Sequence, residues 1–334
     1  MRIAALLILL CGLGGGAGWL WFEKTIEDRA SSPLSVESTD VIDVARGMRL
    51  DDVINLLTSR GFTRDGWWIR RYAIREGIDK RLQSGEYRLL PGDSALSLFE
   101  RMARGDVIRR RFTIIEGWTV AQMLGSLRET TLVHTPGLSA RNLAATLGLE
   151  HDNPEGLFLP DTYEYVRSDK DLDVLRRAKE AMQSMLGSTW ETRGDNLPYQ
   201  DAYAALIVAS MVEKETGVDS DRPLIASVFA RRLMIGMKLQ SDPTVIYGIG
   251  AAFDGNLTRR HLNTPTPYNT YTIAGLPPTP IALPGRESIA AVLSPPATDF
   301  LYFVGRGDGS SQFSATLTEH NKAVNTYQRA GSRG

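Results

Sequence analysis

At 334 residues the chain is about twice a typical domain, long enough for two cores. Apolar residues at 43% and charged residues at 23% exclude a collagen-like, coiled-coil or wholly disordered chain. A formal charge of −1 from 38 basic and 39 acidic residues speaks against nucleic acid as a partner, and the single cysteine, Cys11, excludes an intrachain disulfide or a cysteine metal cluster.

From Ile3 to Phe22 no charge interrupts the chain, a run sufficient to cross roughly 30 Å of hydrocarbon as a helix. Arg2 before it and Trp19, Trp21 and Phe22 at its far end suit an N-in transmembrane anchor over 1–22, with the rest of the chain outside the cytoplasm. A cleaved signal peptide is the competing reading, through the small residues of 14–18. Leu10 before Cys11 argues against a lipoprotein. Residues 23–40, polar and Ser-rich with Pro33, read as an exposed linker.

Three glycines then open similar units. Gly47 is followed by Leu50, Val53, Ile54 and Leu57; Gly92 by Ala95, Leu98, Phe99 and Met102; Gly117 by Val120, Met123, Leu124 and Leu127. These offsets trace one face of a helix, and each glycine follows a strand candidate: Val41–Val44, Tyr87–Leu90 and Phe112–Ile115. The copies are expected to pack on one another, with Trp67, Trp68 and Tyr72 on an intervening helix. Residues 41–111 resemble a LysM-like α+β module, a small fold that holds N-acetylglucosamine glycans; packing alone also explains such repeats. The basic run at 109–111 reads as a solvated strand edge.

Pro154 to Tyr165 is an aromatic, proline-closed stretch expected to be a packed loop or short strand. Helical spacing follows over Leu172–Met185, then a break at Arg193–Tyr199. Tyr203–Thr216 is an almost wholly apolar helix that ends in Glu213 and Glu215. A helix apolar all round belongs in a core, so a carboxyl at its end sits where desolvation raises its pKa. The two glutamates lie about 200° apart on the helix, so one at most points inward. Glu215 continues the stripe Val208, Met211, Val212 and is the better acid, with Glu213 as the fallback; an ordinary solvated helix end would carry the same residues. A second helix spans Ser220–Met234 with Pro223 in its first turn. Beyond it, Lys238, Gln240, Ser241, Asp242, Thr244 and Tyr247 crowd polar groups between turn residues, and Pro265–Pro280 makes a rigid loop carrying Tyr268, Asn269 and Tyr271. Flat aromatic and amide groups suit a neutral sugar, whose rings offer apolar faces ringed by hydroxyls.

The segments V-A-S-M-V-E-K-E-T (208–216), L-Q-S-D-P-T-V-I-Y-G (239–248), Y-N-T-Y-T-I-A-G-L-P-P (268–278) and L-Y-F-V (301–304) together resemble the endolytic murein transglycosylase family, also called YceG-like. The resemblance implies an α+β protein with a transmembrane helix, a LysM-like module and a mixed α+β catalytic domain over 112–330. It implies a lyase of the bacterial inner membrane, its catalytic domain periplasmic, that cleaves nascent peptidoglycan strands internally between N-acetylmuramic acid and N-acetylglucosamine and so terminates glycan elongation. It also implies peptidoglycan synthases (penicillin-binding proteins) as partners, no cofactor or metal, and one catalytic carboxyl, Glu215. Gln240, Asp242, Tyr247, Asn269 and Tyr271 are the candidate substrate-binding residues. A hydrolytic muramidase with Asp242 as second carboxylate, and a non-catalytic peptidoglycan-binding scaffold, are the alternatives.

Overall fold

The structure is a computed structural model that describes residues 2–329, and the side chains of 15–328. It is mixed α+β and divides into two compact units, Met1–Arg110 with Glu164–Asp169, and Arg111–Tyr163 with Lys170–Gly334.

In the first unit a long helix, α1 (Arg2–Ser31), precedes β1 (Asp40–Val44), α2 (Leu50–Ser59), α3 (Gly66–Arg75), β2 (Gly85–Leu89) and α4 (Ala95–Arg104). β1 and β2 are antiparallel, from Asp40 opposite Leu89 to Val44 opposite Gly85. The helical faces foreseen after Gly47 and Gly92 are the buried ones, Leu50, Val53, Ile54 and Leu57 on α2 and Ala95, Leu98, Phe99 and Met102 on α4. Both glycines have φ of 89°, a left-handed turn that costs a side-chain-bearing residue about 1 kcal/mol or more. Trp67, Trp68 and Tyr72 lie on α3, as the spacing suggests.

The linker expected over 23–40 is corrected. α1 continues through Ser31, and Ile26 and Ala30, one helical turn apart, join Leu34 and Val36 in the core of this unit. Among the described residues no helix is long and apolar enough to cross a membrane. The expected span at 3–22 falls for the most part on residues 3–14, whose side chains lie outside the described ones. The basic run is partly spent on charge pairing: Arg110 and Arg167 (3.0 Å) both engage the buried Glu86, and Arg109 reaches Glu164 at 3.4 Å. Their guanidinium groups hold the Glu86 carboxyl below its ordinary pKa against the opposing effect of burial.

β3 (Arg110–Thr113) and β4 (Thr162–Tyr165) each contain a boundary between the units. The third strand, glycine and helix copy, with Val120, Met123, Leu124 and Leu127 buried, continues into the second unit and so does not share the core of the first two. The second unit runs α5 (Val120–Arg128), α6 (Ala140–Leu147), α7 (Asp171–Glu191), α8 (Ala202–Glu215), α9 (Arg222–Met234), α10 (Asp242–Ile249), α11 (Arg259–Asn263), α12 (Arg286–Leu293), β5 (Tyr302–Gly305), β6 (Ser311–Ser314) and α13 (Leu317–Val324). β5 and β6 form an antiparallel hairpin. α8 is central: every residue from Ala205 to Val212 is buried, with α7, α9 and α12 packed around it. α10 was not foreseen; it starts where Ser241 turns the chain and Pro243 fills an early helical position.

Candidate active site

α8 carries its last residue, Glu215, out of the core of the second unit. Part of the residue keeps access to solvent, while the protein packed around its carboxyl raises the pKa to about 7, chiefly by desolvation. Asp242 pushes the same way; Ser241 and the Arg232 guanidinium pull against it. The helix C-terminus, with its unpaired carbonyls, also disfavours a negative charge there. The result is a carboxyl poised between acid and base near neutral pH.

The polar contact on that carboxyl comes from a preformed turn. Ser241 Oγ donates to Glu215 Oε1 at 2.5 Å. Its own backbone is held on both sides, since Ser241 N donates to Thr270 Oγ1 at 2.9 Å and Ser241 O accepts from Thr244 Oγ1 at 2.6 Å. Gln240, one residue earlier, has φ of 52° and donates its backbone N–H to Thr270 O. A non-glycine residue in this left-handed region costs roughly 1 kcal/mol or more, a strain the surrounding hydrogen bonds offset. The turn leaves the Gln240 side chain exposed beside the buried Leu239 and Ser241.

The 239–248 and 268–278 segments therefore meet at Glu215. Tyr271 OH donates to Asp242 Oδ1 at 2.6 Å, and Lys238 Nζ donates to Tyr271 O at 3.1 Å. Asp242 and Tyr271 thus lie within electrostatic reach of the carboxyl, and Gln240 directly precedes the serine that bonds it. The other two candidate residues point elsewhere. Asn269 is fully buried; its Nδ2 donates to the carbonyls of His261, Leu262 and Thr264 and its Oδ1 accepts from Tyr271 N, so it shapes the loop that presents Tyr271. Tyr247 turns its hydroxyl to Glu155 Oε2 at 3.0 Å and its ring to Tyr268, 4.9 Å away edge-on.

Two further groups were not singled out by the sequence. Arg232 of α9 is buried, and among the described residues no carboxylate pairs with its guanidinium: Nε donates to Leu301 O at 2.7 Å and Nη1 to Leu239 O at 2.7 Å. It lies over the Tyr302 ring at 5.4 Å. One cation thus ties β5's approach to the Glu215 turn and places positive charge near the carboxyl. Glu155 is the second, almost fully buried, with its pKa raised to about 7 by desolvation. Its carboxylate accepts from Val120 N (2.8 Å) at the start of α5 and from Tyr247 OH. Proximity in sequence could not have revealed it, because its partners lie 35 and 92 residues away.

Glu213, two residues before Glu215, points to the other side of α8, where Oε2 accepts from Gly285 N (3.0 Å) and Ser288 Oγ (2.7 Å) at the start of α12. It binds a helix N-terminus, as the 200° separation requires of the glutamate that does not face the turn.

The chain is 27% identical over 311 residues to the endolytic murein transglycosylase of Bacillus subtilis (strain 168), covering 87% of this chain and 85% of that protein. It is 23% identical to the protein of the same name from Streptococcus pneumoniae serotype 2, over 96% of this chain and 64% of the longer relative. The crystal structure of a YceG-like protein from Listeria monocytogenes superposes with a TM-score of 0.55 at 25% identity, over 86% of this chain and 99% of that one. The sequence model of the YceG-like family matches residues 42–326, and the chain belongs to that family.

Proposed function

We propose that this chain is an endolytic peptidoglycan lytic transglycosylase whose Glu215 serves first as acid and then as base. The observation that carries the reading is the Glu215 carboxyl, at the end of a buried helix and held by Ser241, with its pKa raised to about 7. The relatives named endolytic murein transglycosylase supply the substrate class.

In the first step protonated Glu215 donates to the glycosidic oxygen between N-acetylmuramic acid C1 and N-acetylglucosamine, and that bond breaks. In the second, the Glu215 carboxylate takes the proton of the muramic acid C6 hydroxyl, whose oxygen closes on C1. The product is a 1,6-anhydro end, no water is consumed, and Glu215 returns to its protonated state. Proton transfer of this kind contributes on the order of 10²–10⁴ in rate. Ser241 Oγ and the Arg232 charge steady the carboxylate formed between the steps, while Gln240, Asp242 and Tyr271 border the sugar. Most glycosidases need two carboxylates; here Asp242 is engaged by Tyr271, and no second acid is required.

The run at 3–22 serves as the membrane anchor, N-terminus inside, so that the rest of the chain meets nascent strands beside the peptidoglycan synthases and terminates their elongation. The β–α–α–β arrangement of β1 to β2 serves as the LysM-like glycan-holding module. Digestion of purified glycan strands by the full chain, read by mass spectrometry, tests the reaction. Anhydro ends are expected; reducing ends, heavier by one water, would establish hydrolysis instead.

A further inference from the structure

α3 carries an exposed stripe that its own core does not use. Trp67, Arg71 and Ile74 recur at i, i+4 and i+7, the spacing of one helix face. Trp67 is 56% exposed and Ile74 43%, large values for apolar residues at these positions. Arg71 lies over the Trp67 ring at 5.4 Å, and the helix contains Arg70, Arg71 and Arg75 with no acidic residue.

The stripe is continuous with aromatic groups on α1. Phe22 lies 6.3 Å from Trp67 and 5.7 Å from Trp68, and Trp19 lies 6.4 Å from Phe22. Trp19, Leu20 and Trp21 are between 63% and 71% exposed. Phe22 closes the uncharged run that begins at Ile3, and Glu23, the first charge after it, is paired with Arg75 at 2.5 Å. Trp67 therefore sits beside the very end of the apolar run, about 4.5 Å along the helix from the level of Trp19. Aromatic rings at this level with arginines behind them are what a membrane interface takes up: the rings enter the headgroup layer and the cations meet lipid phosphates.

We propose that the Trp67–Arg71–Ile74 face of α3, together with Trp19 and Trp21, docks on the surface of an anionic phospholipid bilayer, so that the first folded unit lies against the membrane rather than hanging free of it. The inference rests on the anchor reading above. The apolar rings supply burial; Arg70 is paired with Asp51 and Arg75 with Glu23 and Glu76, so Arg71, over the Trp67 ring, supplies the attraction to lipid phosphate, and α1, continuing through Ser31 with Ile26 and Ala30 in the core of the unit, keeps the two helices at one depth.

The test uses the full chain with Cys11→Ser, carrying an environment-sensitive nitrobenzoxadiazole label on Trp67→Cys or, separately, on Ile74→Cys. Both positions are exposed and far in sequence from Glu215, and release of anhydro products checks that each labelled protein is folded. In vesicles of phosphatidylethanolamine and phosphatidylglycerol, both labels are expected to emit to the blue and to be quenched by lipids brominated near the headgroup. A label on Ile115→Cys, an exposed site in the second unit, provides the water-exposed reference. Arg71→Gln with the label at 74 should shift the equilibrium between docked and undocked label about fivefold toward water. Flotation of the protein with vesicles while both labels report water would overturn the docked face and leave the anchor standing. Failure to float would overturn both. A blue-shifted label that brominated lipid does not quench would show that protein, such as a second copy, covers the face, and would overturn the proposal.

Discussion

Glu215 depends on a balance of opposed effects rather than on burial alone. Desolvation and Asp242 hold its proton on; Ser241 and Arg232 favour the carboxylate. As the acid of the first step it must be protonated, so activity should fall as pH rises through about 7. Arg232→Met removes the positive charge and should move that alkaline limb to higher pH, whereas Arg232→Lys, which keeps the charge, should leave it nearer its place; pH profiles of kcat/KM measure both. Ser241→Ala removes the donor that stabilises the carboxylate between the two steps. It should lower kcat about tenfold, the value of one hydrogen bond to a charged group, and should also raise the limb. An unchanged profile in the Arg232→Met enzyme would mean that its guanidinium acts on the fold alone.

Among the elements, α8 was legible because its residues are apolar all round and then end in charge, a pattern only a core helix tolerates. The inward choice of Glu215 followed from the same stripe. α10 was hidden: its eight residues mix Asp242, Pro243 and Gly248 with apolar ones, and a helix that short shows too few turns for a period. Ser241 stood among the polar residues of the segment but nothing local ranked it, because its orientation comes from Thr270, 29 positions on. The 23–40 stretch was misread because its polar composition outweighed the Ile26 and Ala30 spacing. Glu213 gives a test at this scale. Glu213→Ala should cost about 1–2 kcal/mol of stability through the lost contacts at the start of α12, seen in urea denaturation, with the alkaline limb of activity in place. A displaced limb would mean that Glu213 shares in the proton transfer.

On the scale of the whole molecule, the repeat of strand, glycine and helix was visible in the sequence, but its partition was not. Two copies build the first unit and the third enters the second, and local patterning carries no information about which core a surface joins. Two buried carboxyls, Glu155 and Glu215, contribute to the pH dependence of stability. Glu155 and Glu215 have folded pKa values raised to about 7 from 4.5, so the native state binds more protons than the unfolded chain between those values. Their stabilising protonation is complete below about pH 4.5 and is lost as pH rises through about 7, on the order of 3 kcal/mol for each. The contribution of these two groups to Tm thus declines from pH 5 to pH 8, and Glu155→Gln should flatten the decline; a variant as pH-sensitive as the parent would show that Glu155 is solvated.

The most direct test concerns the one proton on which the chemistry depends. Glu215→Gln keeps the shape and the donor Ser241 in place but cannot give or take that proton, so the full-length variant should fold, bind glycan strands and release no anhydro-muropeptides by mass spectrometry. Release at the parental rate would contradict the account.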